Sequence, residues 1–353
     1  MRRITEYLAC ARPGDWWEFK IPPLLATAYA TALFLHVSFQ HLWPLLLLLL
    51  FALLPGAAYV SLLNDITDLQ DDLRCGKSNR MAGRSAAFKV CAVGICLGLG
   101  LVAGWFLRSC PLTLGLYGAT WVAYTLYSTP PFRLKVRGAW GIAMDASGAH
   151  LLPTLWTASL IAEATGHAVP LLFLGTFGIW AGAIGVRGIL WHQLRDREND
   201  RRGGVATFAA GRDPKAIRLF VAGVLFPVEV AAFVLVLVQL NLPWAFLILA
   251  VYLAMEWWVS RYMGNDLVIV APTHGAMIIL VEYYEFWWPL TLLIALTHES
   301  AMAGLLIVLQ LVLFPHGPAL FFSHVNFLVR CKLIPELRSG LKRILLLIRG
   351  GLP

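Results

Sequence analysis

Residues 44–72 read PLLLLLLFALLPGAAYVSLLNDITDLQDD, an apolar run from Pro44 to Leu63 followed at once by four carboxylates, Asp65, Asp68, Asp71 and Asp72. An uninterrupted stretch of about 20 apolar residues is what a membrane-spanning helix requires. Carried on as helix past Leu63, the chain sets Asn64 and Asp68 four residues apart, Asp65 and Asp68 three, and Asp68 and Asp72 four. One face then presents a column of hard oxygen ligands. Such a column repels itself unless a cation sits in it.

A second acidic pair answers the first. LRDREND, residues 194–200, places Asp196 and Asp200 four residues apart, again where an apolar run ends and a basic loop begins. Mg²⁺ takes oxygen ligands, keeps several waters and is readily shared between one or two carboxylates and the oxygens of a phosphorylated substrate. Two such helix ends facing each other would clamp a diphosphate. Either cluster alone reads equally as a solvated cap at a membrane edge; the recurrence at like spacing, with basic loops behind both, argues for the clamp.

At this point the sequence resembles the UbiA superfamily of intramembrane prenyltransferases. Asn64, Asp65, Asp68 and Asp72 fit its NDxxDxxxD motif, Asp196 and Asp200 its DxxxD motif, and YSTPPFRLKVRG, Tyr127 to Gly138, is similar to the loop between its two halves. The resemblance runs over roughly residues 10 to 300. It implies Mg²⁺ as cofactor, held by Asn64, Asp65, Asp68, Asp72, Asp196 and Asp200, and an isoprenyl diphosphate as substrate. It also implies that basic residues of the two loops bind the diphosphate. Lys77 and Arg80 in the first loop, and Lys135 and Arg137 in the second, are the candidates, with Arg80 and Lys135 the best matches.

Composition agrees with a membrane protein. The chain has 353 residues, of which 59% are hydrophobic and only 14% charged, and its mean hydropathy is +0.71. That is too apolar for a soluble domain of this size. Seven charged residues fall among the first twenty, without an apolar core, so no cleavable signal peptide is expected. The six cysteines form no CxxC pair, which excludes a zinc ribbon or a disulfide framework as the organising device. The net charge of +8 sits at the edges of apolar runs rather than in one soluble region, and the positive-inside rule accounts for it better than nucleic-acid binding does.

Apolar runs of spanning length fall at 21–39, 44–63, 86–107, 112–127, 139–161, 168–194, 216–239, 242–262, 276–297 and 300–315. The expected fold is therefore all-α, a polytopic bundle of nine or ten spans around a central lipid-accessible cavity. With the N-terminus cytoplasmic, Arg74, Lys77, Arg80 and Arg84, then Arg133, Lys135 and Arg137, then Arg195 to Lys215 all fall on the cytoplasmic side, leaving almost only Arg108 opposite. Residues 1–315 read as the transmembrane domain and 316–353 as a basic cytoplasmic tail. In that tail Leu337, Leu341, Ile344, Leu345 and Ile348 recur at helical spacing opposite Arg338, Lys342 and Arg343, the pattern of a helix lying in the headgroup plane.

Prenyl transfer breaks the carbon–oxygen bond of an allylic diphosphate, and the developing charge needs Lewis-acid and cationic stabilisation. Asp68 and Asp196 are the central candidates for that catalytic work. His192, one turn before Asp196, and Asp145, in GIAMDASGAHLLP, are the candidates for the acceptor side, since a carboxylate within an apolar run tends to face a cavity. Tyr124, Tyr127, Trp121 and Trp191 offer aromatic faces to a carbocation. The partners expected are an isoprenyl diphosphate, a small-molecule or lipid acceptor, and membrane lipids; the expected setting is a bacterial inner membrane, with the site toward the cytoplasm. Two other readings stay open: an intramembrane terpene cyclase using the same metals, and a transporter or lipid-binding protein, which would place interrupted helices and acids near the midplane.

Overall fold

The computed structural model describes residues 9–168, 170–264, 266–270, 277–335, 337–339 and 341. It is a helical bundle whose elements run α1 Pro13–Phe34, α2 Phe39–Arg74, α3 Ala86–Phe106, α4 Pro111–Ser128, α5 Ala139–Ala146, α6 Leu152–Ala164 and α7 Leu171–Arg202. Beyond these come α8 Pro214–Phe220, α9 Phe226–Gln239, α10 Pro243–Met263, α11 Trp288–Glu299, α12 Ala303–Leu313 and α13 His316–Leu328. Strand structure among the described residues is one parallel pair of two-residue strands, Leu267–Val268 and Met277–Ile278.

Helix starts follow local chemistry. Pro111, Pro214 and Pro243 open their helices, where the missing N–H is one that a helix start leaves unpaired in any case. Ser85 caps α3 by accepting from the Phe88 amide at 3.1 Å, and Asp213 caps α8 through the Lys215 amide at 3.0 Å. Among the described residues, five stretches are individually long and apolar enough to cross a membrane: α2, α3, α7, the continuous rod Pro214–Gln239, and α10. Helix lies within each of the ten expected apolar runs, although the ninth, 276–297, turns helical only from Val281, after the strand Met277–Ile278, and two further runs differ in shape. The first helix begins at Pro13, earlier than hydropathy alone suggests, because Asp15, Glu18 and Lys20 are carried on its polar start.

The tenth run does not continue straight. Helix stops at Leu313, and the chain bends by 78° into the following helix, where Phe314 and Pro315 break the hydrogen-bond ladder. The turned-back α13 is packed: Gly317 sits so close to Phe286 that a Cβ there would lie 2.6 Å from the Phe286 Cβ, and His324 is buried. The boundary expected at 315 thus falls between two packed helices. Of the expected amphipathic tail, Leu337 and Leu341 are exposed; its remainder from residue 342 lies outside the described residues.

The packing places the two acidic motifs. α2 and α7 stay helical through their apolar runs and through the acidic residues, to Arg74 and Arg202, so both motifs are borne on rigid rods. A large aromatic core of Trp156, Phe173, Phe177, Trp180, Phe233, Tyr252, Tyr283 and Trp288 holds the bundle. α7 runs against α5 at close range, since a Cβ on Gly185 would meet the Ala146 Cα at 2.9 Å; small residues let membrane helices approach in this way.

Candidate active site

The site is built on the C-terminal turns of α2. Asn64 Oδ1 accepts a hydrogen bond from Ser128 Oγ at the end of α4. Asp65 is 6% exposed; its Oδ1 faces Arg12 Nη1 at 3.3 Å, while its Oδ2 is buried without a hydrogen-bond partner. Asp72 Oδ2 accepts from Asn79 Nδ2 at 2.8 Å, and the same amide nitrogen donates to the Asp65 carbonyl at 2.9 Å. Asn79 thereby clips the loop after α2 back onto the acidic turn.

Asp68 is the most heavily engaged. Its Oδ1 accepts from Arg133 Nη2 at 2.8 Å and from Lys135 Nζ at 2.5 Å, and Arg133 Nη2 also reaches Asp71 Oδ2 at 2.7 Å. Both cations come from the loop between α4 and α5, which sits over the column of acids. Burial pulls the Lys135 ammonium below its ordinary range, and the Asp68 carboxylate only partly offsets this. For Arg133 the net direction is the opposite: burial is again the largest single influence and works against its charge, but the hydrogen bonds to and the charges of Asp71 and Asp68 together carry it above its usual range. Arg137, from the same loop, does not join them; its Nη2 donates to the Pro131 carbonyl at 2.8 Å.

The second motif lies alongside. Asp200 Oδ2 accepts from Thr207 Oγ1 at 2.9 Å and is within electrostatic reach of Lys77; Arg80 stands in the same relation to Asp65. Asp196 is half-exposed, with Arg195 Nε 3.6 Å from it. Arg197 and Arg201 tie the loop after α7 down through the carbonyls of Ala209 and Ala210, each at 2.9 Å. The two loops touch, since a Cβ on Gly203 would lie 2.8 Å from Cys75 Sγ. Among the described residues, neither motif draws three of its carboxylates into one cluster of converging ligand atoms. Repulsion within the column is offset instead by Arg12, Arg133 and Lys135.

Deeper in the bundle a second polar group forms. Asp145 interacts with Tyr127, and Lys20 Nζ meets His150 Nε2 at 2.5 Å. Lys20 is in electrostatic reach of Asp145 and of His192, so the two acceptor-side candidates share one cation. His192 itself packs edge-on to Trp191, with ring centroids 4.8 Å apart, and Arg195 covers the Trp191 face. Trp121 packs against Tyr59 and Tyr117.

Six participants were not singled out as site residues from the sequence: Arg12, Asn79, Ser128, Arg133, Lys20 and His150. Arg12, Asn79, Ser128 and Arg133 are partners whose contacts with the acids depend on how loops and helix ends dock. Lys20 and His150 left a signal, being ionisable residues at or within apolar runs. His150 is five residues after Asp145, off its face on a regular α-helix; the π-helical turn Ser147–Leu151 lies between α5 and α6 at this point.

The residues fit a hard divalent cation. A buried carboxylate oxygen left without a partner, beside an amide oxygen and two further carboxylates on one helical face, is a set of oxygen donors that Mg²⁺ accepts.

Three comparisons bear on this geometry. The sequence model of the UbiA prenyltransferase family matches residues 24–266. Among solved structures, a UbiA homologue from Archaeoglobus fulgidus aligns over 88% of this chain and 99% of its own, at 16% identity and a TM-score of 0.54; its form bound to GPP and Mg²⁺ aligns over the same shares with a TM-score of 0.50. A digeranylgeranylglyceryl phosphate synthase aligns over 89% of this chain and 100% of its own, at 14% identity and a TM-score of 0.52. No curated protein sequence matches.

Proposed function

The chain belongs to the UbiA prenyltransferase family, and from that premise we propose that it transfers an isoprenyl group from an isoprenyl diphosphate to an acceptor within the membrane, with Mg²⁺ as cofactor. The observation that carries this reading is the abutment of two acid-bearing helix ends, one of them holding the unpartnered Asp65 Oδ2.

Asn64, Asp65, Asp68 and Asp72 on one rod, with Asp196 and Asp200 on the other, would hold the metal. When bound, Mg²⁺ supplies Lewis-acid stabilisation of the diphosphate leaving group. Arg133 and Lys135 stand on Asp68 and are placed to pass to diphosphate oxygens, where charge-assisted hydrogen bonds strengthen as the carbon–oxygen bond breaks. Lys77 and Arg80 add positive charge from the loop after α2. The proton released as the acceptor bonds to the allylic carbon goes to Asp145, with Lys20 and His150 fixing the polarity around it. The concentration of Arg and Lys in these loops supports a cytoplasmic position for this end of the bundle.

The test is diphosphate release by the purified protein with Mg²⁺ and an isoprenyl diphosphate. Asp68→Asn should lower it at least about 100-fold, because an amide keeps the shape but loses the charge that holds the metal. Full activity of Asp68→Asn with Mg²⁺ chelated would overturn the reading.

A further inference from the structure

Away from the acidic motifs, a cavity of about 500 Å³ lies between α1, α10, α12, α13 and the segment that leads into α11. Its lining includes four glutamates, Glu18, Glu256, Glu282 and Glu285, and two histidines, His316 and His324, with no lysine or arginine among the lining residues. On one wall Glu256 of α10, Glu282 ahead of the π-helical turn Tyr283–Trp287, and His324 of α13 bring one ligand atom each within 4.8 Å of one another. Glu256 is 1% and His324 5% exposed.

These groups are close yet unsatisfied. Glu256 Oε1, Glu282 Oε1 and His324 Nδ1 are all buried without a hydrogen-bond partner, and the His324 Nδ1 to Glu256 Oε1 distance of 4.0 Å is too long for a hydrogen bond. An independent side chain on α12 adds to them: Gln310 lines the same cavity, is 4% exposed, and its Oε1 is also buried and unpartnered. Buried polar atoms are nearly always paired, and several orphans on one cavity wall point to a missing ligand. The three oxygens are acceptors when the carboxyls are ionised, and His324 Nδ1 offers a lone pair when the proton sits on Nε2, so the set is suited to a cation.

We infer that Glu256, Glu282 and His324, with Gln310 at the edge, form a second metal site for a divalent ion of the zinc class, distinct from the acidic motifs. One imidazole and two carboxylates are a donor set that Zn²⁺ accepts at tetrahedral geometry, with the fourth position left to the Gln310 oxygen or to water. Two buried carboxylates side by side repel one another, and a dication replaces that repulsion with attraction. Because its ligands come from α10, the lead into α11, and α13, the ion would tie the folded-back C-terminal helix to the bundle.

The test uses the full chain in detergent, stripped with chelator and carrying Asp68→Asn and Asp196→Asn so that the motifs do not compete. Titration with Co²⁺, read by visible absorption and equilibrium dialysis, should find one bound equivalent that Zn²⁺ displaces. Adding Glu282→Gln or His324→Gln should weaken it at least about 10-fold. Zn²⁺ should also raise the Tm of the parent but not of His324→Gln, which keeps the test decisive if Glu282→Gln fails to fold. No Co²⁺ bound, as when the two carboxyls simply share a proton, or binding undiminished in His324→Gln, would overturn the inference.

Discussion

Gly203 packs against Cys75 so closely that a Cβ at position 203 would lie 2.8 Å from the cysteine sulfur and 3.3 Å from the Asn199 carbonyl. This contact joins the loops that follow α2 and α7, three residues beyond Asp72 on one side and three beyond Asp200 on the other. The backbone at Gly203 has an ordinary φ of −79°, so the demand for glycine there is one of space and not of conformation.

Gly203→Val should therefore push the two acidic ends apart and lower Mg²⁺-dependent diphosphate release, at a stability cost of about 1–3 kcal/mol from overpacking. Cys75→Ala in the same chain should restore much of both, since it removes the atom in the way. A double-mutant cycle on activity and Tm measures the coupling, and strict additivity would show that the contact does not set the spacing.

The loop between α4 and α5 separates two cations that look alike in sequence. Lys135 is bonded to Asp68, whereas Arg137 is spent on the Pro131 carbonyl. Lys135→Met should raise KM for the isoprenyl diphosphate and lower kcat, together at least about 10-fold in kcat/KM. Arg137→Met should stay within about 3-fold of the parent. The reverse ranking in steady-state kinetics would mean that the loop rearranges around its substrate.

Transferase and cyclase differ in what they need beside the metal. The polar group of Lys20, Asp145, His150 and His192 suits an acceptor with a proton to lose, and a cyclase gains by excluding such groups. Without acceptor, isoprenyl diphosphates of graded length should give slow hydrolysis only, and coupled product should form when membrane extract is added. Asp145→Asn should abolish coupling while sparing much of the slow hydrolysis. Rapid formation of a cyclic hydrocarbon or alcohol, identified by mass spectrometry, would decide for the cyclase.

Sidedness is open to chemical labelling. Arg108→Cys should react with an impermeant maleimide from outside intact cells, and Lys77→Cys only after permeabilisation, because basic loops remain cytoplasmic. Labelling of position 77 from outside would invert the proposed topology.

The sequence by itself determined the class of fold and the position of the acids. Long apolar runs leave the backbone only the helix in which to satisfy its hydrogen bonds in lipid, and a spacing of three and four residues fixes which side chains share a face whatever lies around them. Asn64, Asp65, Asp68 and Asp72 could thus be placed on one column before any contact was known. Which cation meets which acid could not be read in the same way. Arg133 and Lys135 fall on Asp68 while Arg137 turns away, and Arg12 reaches Asp65 across 53 residues, because these pairings depend on how distant helices dock. The bend after Leu313 is in part of the same kind: Pro315 marks the break in the sequence, but the 78° direction goes with the close packing of Gly317 against Phe286, which the sequence does not show. The cluster of Glu256, Glu282 and His324 was legible only in part: Glu282, with Glu285, stands out as an acid within an apolar run, but its partners Glu256 and His324 are far away in sequence and only the tertiary fold gathers them.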